Sequence, residues 1–328
     1  MVIGADILSF LKENDSFVIT THISPDGDGI GSALALSRGL KTLEKKAIIV
    51  DHSPTPSNLK FLLEDDSEII QPAGLPRGFN PEDHFALVVD MGAFDRLGSV
   101  LPIIQRCKGM LVIDHHIVDI PEGVHSLIDP GACATGEVIY KLLKRMDLRI
   151  TRQIADPLYA AIETDTGGFR FAGTSSATHL LASELLAAGT DPARVYSEIY
   201  EKQSALRLRL TGEVLSTLWV SPQGKVATIE LTQSLLKKLN ARIEDGDDLV
   251  NHLMTIDGVK AGFYFKELGT EKTKVSCRSR NGLNLGEFLS EWGGGGHAYA
   301  AGLLIEQNIS SSKRIIVDKA VHILENKT

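Results

Sequence analysis

Four short apolar runs in the first half of the chain each lead directly into a polar residue. Such runs predict strands that are buried in a parallel sheet. The runs are residues 17–21, 47–50, 85–89 and 110–113. Apolar residues at helical spacing follow them and predict helices over residues 29–43, 135–146, 152–163 and 176–188. Strands that alternate with helices imply right-handed crossovers, so this half predicts an α/β domain with a doubly wound, mainly parallel sheet.

The pattern changes in the second half. Residues 193–218 form one long helical stretch with a polar face, which we interpret as a connector. Beyond it, the sequence predicts strands at 225–231, 259–266, 274–278 and 300–305, and helices at 286–292 and 311–324. The sequence therefore predicts three segments: a doubly wound domain over 1–188, a helical connector over 189–218, and a smaller α+β domain over 219–328.

Composition limits the classes of function. The chain has 328 residues, of which 43% are hydrophobic and 23% charged, as is usual for a globular protein of two domains. It has no apolar run of about 20 residues and no signal-peptide pattern, so we expect no membrane association. Cys107, Cys133 and Cys277 are scattered, which favours reduced thiols and a cytoplasmic protein. The net charge of −8 disfavours duplex DNA as a partner but leaves short oligonucleotides possible.

Metal-competent side chains follow several of the predicted strands. The first strand leads into a glycine-rich loop with His22, Asp26 and Asp28. Each of these residues has an ordinary interpretation, because Asp-Gly pairs are common in solvated turns. The third and fourth strands lead into Asp90 and into the triplet 114–116, and Asp165 lies near a glycine turn, where it could equally cap a helix. Parallel strands bring their carboxyl ends to one edge, so we expect these residues to meet there.

A meeting of that kind has an electrostatic consequence. Five carboxylates at one edge repel one another unless cations neutralise them. A site with two metal ions resolves the repulsion and suits the transfer of a phosphoryl group. Many carboxylates with few imidazoles favour Mn²⁺ or Mg²⁺ over zinc. The residues alone therefore predict a metal-dependent enzyme.

These residues also carry a family resemblance. The order His22-x-x-x-Asp26-x-Asp28, then Asp90, then Asp114-His115-His116, then Asp165 resembles the four motifs of the DHH phosphoesterases. Residues 293–302, Gly-Gly-Gly-Gly-His-Ala-Tyr-Ala-Ala-Gly, are similar to the glycine–histidine signature of the DHHA1 domain. The two resemblances cover nearly the whole chain. The subgroup that it resembles most is the bacterial NrnA-like nanoRNase (oligoribonuclease) and pAp phosphatase proteins.

The resemblance implies the role of each site residue. Six side chains would bind two Mn²⁺ ions, with Mg²⁺ as the alternative: His22 and Asp26 on one ion, Asp28, His115 and Asp165 on the other, and Asp90 bridging both. Asp114 would support the site. His116 would face the scissile phosphate and protonate the leaving oxygen, which agrees with the acid–base chemistry of an imidazole that is not a ligand.

The resemblance also implies a substrate site in the DHHA1 domain, at the glycine–histidine loop. Backbone N–H groups of glycine can donate to phosphate oxygens because no side chain blocks them. The guanidinium group of arginine can donate two parallel hydrogen bonds to a phosphate. The candidates are Gly294, Gly295, Gly296, His297, Arg278 and Arg280, with Arg170 on the metal side. For the three arginines, the alternative is a place on the surface with no ligand.

The resulting expectation is a hydrolase that cleaves short oligoribonucleotides or linear dinucleotides to mononucleotides, and pAp to AMP, by a hydroxide that bridges two metal ions. Several alternatives remain open: a cyclic-di-AMP phosphodiesterase, an inorganic pyrophosphatase, a polyphosphatase, and a silent nucleotide-binding regulator. An oxidoreductase is disfavoured, because Asp26 and Asp28 lie where a Rossmann loop would hold pyrophosphate. The sequence leaves the oligomeric state open, with a homodimer as one candidate.

Overall fold

A computed structural model of the chain describes residues 3–280, 282–296 and 298–325. The chain divides into two compact units between Lys202 and Gln203. Among the described residues, no helix combines the length and the apolar character needed to cross a membrane. Each unit is built around a six-stranded sheet of its own.

The first unit contains an all-parallel sheet in the order β3-β2-β1-β4-β5-β6. Its strands are β1 (Ser16–Thr20), β2 (Lys46–Val50), β3 (Ile69–Ile70), β4 (Phe85–Val89), β5 (Met110–Asp114) and β6 (His125–Ile128). Alternate side chains enter cores on opposite faces: Phe17 and Ile19 lie in one core and Val18 in the other. The expected doubly wound parallel sheet is confirmed.

Helices surround this sheet or pack against other helices of the first unit. They are α1 (Ala5–Glu13), α2 (Gly27–Lys41), α3 (Leu101–Ile104), α4 (Thr135–Arg145), α5 (Arg152–Asp165), α6 (Ser176–Ala187) and α7 (Pro192–Tyr200). Short 3-10 turns occur at Lys60–Leu62, Pro72–Gly74, Pro81–Asp83 and Phe94–Val100. The turn Phe94–Val100 follows β4 and supplies part of the site described below.

Four helices and strands of the first unit were not predicted from the hydrophobic pattern: α1, α3, β3 and β6. The edge strand β3 has two residues, and β6 begins with two exposed residues, so neither contains an apolar run. Helix α1 is short, and it buries Ile7, Phe10 and Leu11 at helical spacing. The ring of Phe10 packs edge-on against Phe85 of β4, with centroids 5.3 Å apart.

Small residues let α5 pack closely against both α2 and α4. A Cβ on Gly31 would collide with the carbonyl oxygen of Pro157, and one on Gly136 would lie 2.6 Å from the Cβ of Ala161. Because α2 begins beside Asp28 and α5 ends at Asp165, this close packing brings those two carboxylates to the same edge of the sheet.

The second unit has a mixed sheet in the order β11-β12-β10-β9-β8-β7, with β8 and β9 parallel and the other pairs antiparallel. Its strands are β7 (Trp219–Val220), β8 (Val226–Leu231), β9 (Ala261–Gly269), β10 (Lys272–Ser279), β11 (Gly295–Gly296) and β12 (Ala300–Ile305). Its helices are α8 (Ala205–Leu215), α9 (Gln233–Leu239), α10 (Val250–Leu253), α11 (Leu285–Ser290) and α12 (Ile309–Glu325), with a 3-10 turn at Ile243–Gly246. The expected smaller domain with mixed strands and helices is confirmed.

The segment interpreted as one long connecting helix is two helices. Helix α7 ends at Tyr200 in the first unit, and α8 begins at Ala205 in the second. The break has a local cause, since Ser204 lies in extended backbone and its hydroxyl accepts a hydrogen bond from the N–H of Arg207. A serine in this position starts a new helix.

Candidate metal centre and active site

The candidate site lies at the carboxyl edge of the parallel sheet. Strands β1 and β4 are neighbours, and the strand order reverses between them, which is where open α/β sheets form ligand-binding crevices. His22 follows β1, Asp90 follows β4 directly, and Asp114 is the last residue of β5. The sheet therefore brings together the side chains that were predicted to meet.

The ring of His22 is buried, and its two nitrogens face different groups. Its Nδ1 lies 2.8 Å from the carbonyl oxygen of Ile23, which can only accept a hydrogen bond. Its Nε2 lies 3.8 Å from Oδ2 of Asp26 and 3.7 Å from Oδ2 of Asp90. A hydrogen on Nδ1 leaves the lone pair of a neutral ring on Nε2, where it points at two carboxylates.

His115 is arranged in the same way. Its Nδ1 lies 3.3 Å from the carbonyl oxygen of Ala132. Its Nε2 lies 3.4 Å from Oδ2 of Asp165, 3.8 Å from Oδ2 of Asp28 and 3.9 Å from Oδ1 of Asp90. This Nε2 is buried and has no hydrogen-bond partner among the described residues.

Asp28 and Asp90 are almost completely buried, and residues at the start of α4 donate hydrogen bonds to both. The N–H groups of Thr135 and Gly136 donate to Asp28 at 2.6 and 2.8 Å. The hydroxyl of Thr135 donates to Oδ1 of Asp90 at 3.1 Å. Burial, and then repulsion by neighbouring aspartates including Asp165, raises the pKa of both carboxyls well above the usual range.

Two divalent cations fit this arrangement. The potential ligand atoms form three groups, each with all atoms within 4.8 Å of one another: His22 with Asp26 and Asp90, Asp28 with His115 and Asp165, and Asp90 with His115 and His116. An imidazole lone pair that faces carboxylates repels them unless a cation lies between. The second nitrogen of each ring lies beside a carbonyl oxygen, to which a ring that binds metal through Nε2 can donate, as is common in metal sites. The donor set therefore suits metal ions, and Asp90 belongs to groups on both sides.

Asp114 differs from the other aspartates, because donors already occupy both of its oxygens. Its Oδ2 accepts from the N–H groups of Met91 and Gly92 at 2.8 and 3.0 Å, and its Oδ1 accepts from the backbone N–H and Nδ1 of His116 at 2.9 and 2.8 Å. Burial opposes the ionisation of Asp114, but these hydrogen bonds outweigh it and lower its pKa. The bond to Asp114 raises the pKa of His116 above its ordinary value.

The predicted substrate residues of the second unit lie around the end of β10. Nε of Arg278 donates to Oδ1 of Asn251 at 3.1 Å, and Nη2 of Arg280 donates to the carbonyl of Met254 at 2.6 Å. Both side chains are thus held by the segment at α10. Arg280 is exposed and Arg278 is half-buried.

The glycine loop differs in part from the expectation that its N–H groups are available to a phosphate. The N–H of Gly294 donates to the carbonyl oxygen of Leu289 at 3.0 Å, so this group is already engaged. Gly295 and Gly296 form the short strand β11, which pairs with β12. His297 lies outside the described residues.

Arg170 lies in the first unit, in the turn that follows α5. Its Nε donates to the carbonyl of Gly167, and its guanidinium lies 5.9 Å from the ring centre of Phe171. The side chain of Phe171 is 56% exposed rather than part of the core. Arg170 is therefore an exposed residue near Asp165.

The sequence analysis missed two polar residues of this edge. Thr135 joins Asp28 and Asp90 through its backbone and hydroxyl groups. Arg96, in the turn after β4, places Nη2 3.0 Å from Nδ1 of His22. No local pattern signals Thr135, whereas the proximity of Arg96 to Asp90 in the chain was a usable signal.

Comparison with known proteins agrees with the motifs. The family model described as the DHH family, N-terminal domain, matches residues 16–162, and the DHHA1 domain model matches residues 224–326. Both matches fall inside the units that the structure separates.

Curated relatives match over nearly the full chain. A protein of Thermus thermophilus named bifunctional oligoribonuclease and PAP phosphatase NrnA is 32% identical over 289 residues, which are 88% of this chain and 83% of that protein. A Bacillus subtilis protein of the same name is 27% identical and covers 95% of this chain and 96% of its own. The crystal structure of an exopolyphosphatase-related protein from Bacteroides fragilis matches with a TM-score of 0.89 and 27% identity, over 97% of this chain and 94% of that one.

Proposed function

Because the chain belongs to the DHH/DHHA1 family of phosphoester hydrolases, we propose that it hydrolyses short oligoribonucleotides and linear dinucleotides to mononucleotides, and pAp to AMP. The observation that carries the proposal is the pair of imidazole Nε2 atoms, on His22 and His115, that face a common carboxylate, Asp90. The names of the curated relatives support this choice of substrates.

The residues at the carboxyl edge would hold two divalent cations, Mn²⁺ in preference to Mg²⁺. His22 and Asp26 would bind one, and Asp28, His115 and Asp165 the other, with Asp90 shared. Such ions, when bound, supply positive charge for a phosphoryl group and lower the pKa of water. The buried hydrogen bonds from Thr135 would keep Asp28 and Asp90 in place during turnover.

His116 is the residue that we expect to meet the substrate. Asp114 accepts from its Nδ1, which orients the ring and favours its charged form. Its side chain remains 35% exposed, whereas that of His115 is 14% exposed. An oriented imidazolium at the edge of the cluster can donate a proton to the leaving oxygen.

The second unit would contribute contacts to the nucleotide. We propose that Arg278 binds a phosphate oxygen and that Arg280 has a lesser part, because arginine forks recognise phosphate. Asn251 and the carbonyl of Met254 already orient these side chains. Gly295, Gly296 and, from the sequence alone, His297 are the further candidates for contact with the nucleotide.

Product analysis tests the function. Metal-depleted protein should be given Mn²⁺ and compared on pApA, linear pentamers, pAp, cyclic-di-AMP and inorganic pyrophosphate. We expect mononucleotides from pApA and AMP from pAp. Asp90→Asn should abolish both reactions, and the exposed Asp83→Asn should leave them unchanged. Turnover of pyrophosphate alone would indicate an inorganic pyrophosphatase instead, and turnover of cyclic-di-AMP alone would indicate a cyclic-di-AMP phosphodiesterase. No turnover of any substrate would refute the proposal.

A further inference from the structure

Arg96 lies beside the candidate metal centre, and its backbone is tied to the loop that carries His22. It belongs to the turn Phe94–Val100, directly after β4. The N–H of Ile23 donates to the carbonyl oxygen of Arg96 at 2.6 Å, and the N–H of Arg96 donates to the carbonyl oxygen of Ala93 at 3.1 Å. These bonds place Arg96 next to the ring of His22 independently of its side chain.

The guanidinium of Arg96 is positioned but not paired with a carboxylate. Its Nη2 lies 3.0 Å from Nδ1 of His22. A Cβ on Gly92, which has a φ of +67°, would lie only 2.9 Å from Nη1, so the group rests where glycine leaves room for it. Across the described residues Arg96 forms no ion pair, although the imidazole that it touches faces Asp26 and Asp90.

The contact with His22 is incompatible with metal binding by that ring. A guanidinium has donors and no acceptor, so Arg96 can bond only to a lone pair on Nδ1. The hydrogen of a neutral ring would then be on Nε2, which would close that atom to a cation. When Nδ1 instead donates to the carbonyl of Ile23, Nε2 is open, but Nδ1 and Nη2 become two donors that face each other. The ligating form of His22 therefore leaves Arg96 without an acceptor.

We propose that Arg96 takes this missing acceptor from the substrate, as a residue that contacts a non-bridging oxygen of the phosphoryl group. The proposal deepens the proposed function and rests on it for the phosphoester substrate class. A guanidinium that has no other acceptor and lies beside a phosphoryl group binds the phosphoryl oxygens. It also stabilises the negative charge that develops on them during hydrolysis. Arg96 would then select ligands with a phosphate group at the metal edge, separately from the phosphate contacts of the second unit.

Phosphate binding by Arg96 and a purely structural role of Arg96 predict different effects of its removal on Mn²⁺ affinity. If Arg96 served to hold His22 in place, its removal would weaken Mn²⁺ binding. If it binds phosphate, its removal deletes a positive charge beside a metal ligand and leaves Mn²⁺ affinity unchanged or modestly higher. Binding measurements can therefore separate the two roles without any measurement of turnover.

The test uses Arg96→Gln and Arg96→Lys in the full chain, with Arg106→Gln as the matched surface control, since Arg106 pairs with Glu82 away from the site. Calorimetry should titrate Mn²⁺ into metal-depleted protein, and then inorganic phosphate into Mn²⁺-loaded protein. We expect Arg96→Gln to keep the parent's Mn²⁺ affinity and to bind phosphate about ten-fold or more weakly. Arg96→Lys, which keeps the charge but loses the fork, should be intermediate.

Two results would overturn the proposal: phosphate binding by Arg96→Gln that matches the parent, or a loss of Mn²⁺ affinity that accompanies the loss of phosphate binding. Failure of the proposed function gives a different result. A parent that hydrolyses neither pAp nor oligonucleotides, yet binds phosphate through Arg96, would refute the substrates and uphold the contact.

Discussion

Replacing Asp90 by Asn should make the metal-free protein more stable while it removes the response to metal. The side chain is buried within a set of carboxylates, so its charge is unfavourable without a cation. Asn preserves the local structure, because its oxygen can still accept the hydroxyl of Thr135. The backbone of Asp90 has a φ of +49°, a left-handed conformation that Asn tolerates well.

The expected gain in the free energy of unfolding follows from the distances between the carboxylate oxygens. Oxygens of Asp26 and Asp90 lie within 4.8 Å of each other, and two unit charges at that distance repel by about 3.5 kcal/mol at an effective dielectric constant of about 20. The side chain of Asp26 is 61% exposed, so solvent screens much of this repulsion. We therefore expect Asp90→Asn to raise the free energy of unfolding in EDTA by about 1–2 kcal/mol.

The gain should depend on pH in a defined direction. Burial and neighbouring carboxylates raise the pKa of Asp90 in the folded state above its unfolded value. The folded state therefore binds more protons, and the stability of the metal-free parent falls as pH rises from the ordinary carboxyl range through the raised pKa. The advantage of Asp90→Asn should be largest in mildly alkaline buffer and should shrink towards acidic pH.

Urea unfolding followed by circular dichroism, at acidic and at mildly alkaline pH, measures these differences. In EDTA the variant should unfold at higher urea than the parent, and Asp83→Asn, which removes an exposed charge, should not. Mn²⁺ should then stabilise the parent, because it binds only the folded state, and should not stabilise Asp90→Asn. A variant less stable than the parent in alkaline EDTA, or one that Mn²⁺ stabilises equally, would refute the charge-cluster argument.

The remaining predictions concern two histidines and one buried ion pair. His115→Ala should weaken Mn²⁺ binding about ten-fold or more in calorimetry. His116→Ala should keep Mn²⁺ affinity and lower turnover of pAp by about 10²–10⁴-fold, so equal metal loss in both variants would contradict the division of roles. Arg38, 9% exposed, donates to both carboxylate oxygens of Glu68 at 2.8 Å, and Arg38→Met should lower the free energy of unfolding in urea by about 3–5 kcal/mol. Burial opposes ionisation of Glu68, but this bond lowers its pKa, so the loss should diminish as pH falls through that lowered value, and a pH-independent loss would contradict the assignment.

Much of the fold could be predicted from the sequence, because central parallel strands are buried on both faces. Strands β1, β2, β4 and β5 are such strands, and each contains an apolar run. The edge strands β3 and β6 do not have to be buried on both faces, and neither contains an apolar run. The connector was misinterpreted because residues 201–204 interrupt the helix through a capping serine rather than through a proline or glycine.

The candidate site was predictable to the extent that strand ends determine it. His22, Asp90 and His115 lie one or two residues beyond their strands, so sheet topology alone brings them together. The positions of Arg96 and Thr135 depend instead on turn conformation and on where α4 begins. In particular, the turns around Arg96 contain Gly92 and Gly98 at positive φ, a conformation that the sequence permits but does not specify.

Asp114 links the two proposed substrate contacts. One of its oxygens accepts from His116, and the other accepts from the N–H groups of Met91 and Gly92. A Cβ on Gly92 would lie 2.9 Å from Nη1 of Arg96, so the guanidinium lies close to this glycine. A carboxylate offers about four lone-pair sites, and four donors already occupy those of Asp114. It has no capacity left for a metal ion, although it lies among the carboxylates that we propose as metal ligands. Its charge orients the ring of His116, which we propose as the proton donor, and on the other side it holds the start of the turn that leads to Arg96. An aspartate that supplies no ligand to the proposed metal site would therefore still have a role at the end of β5.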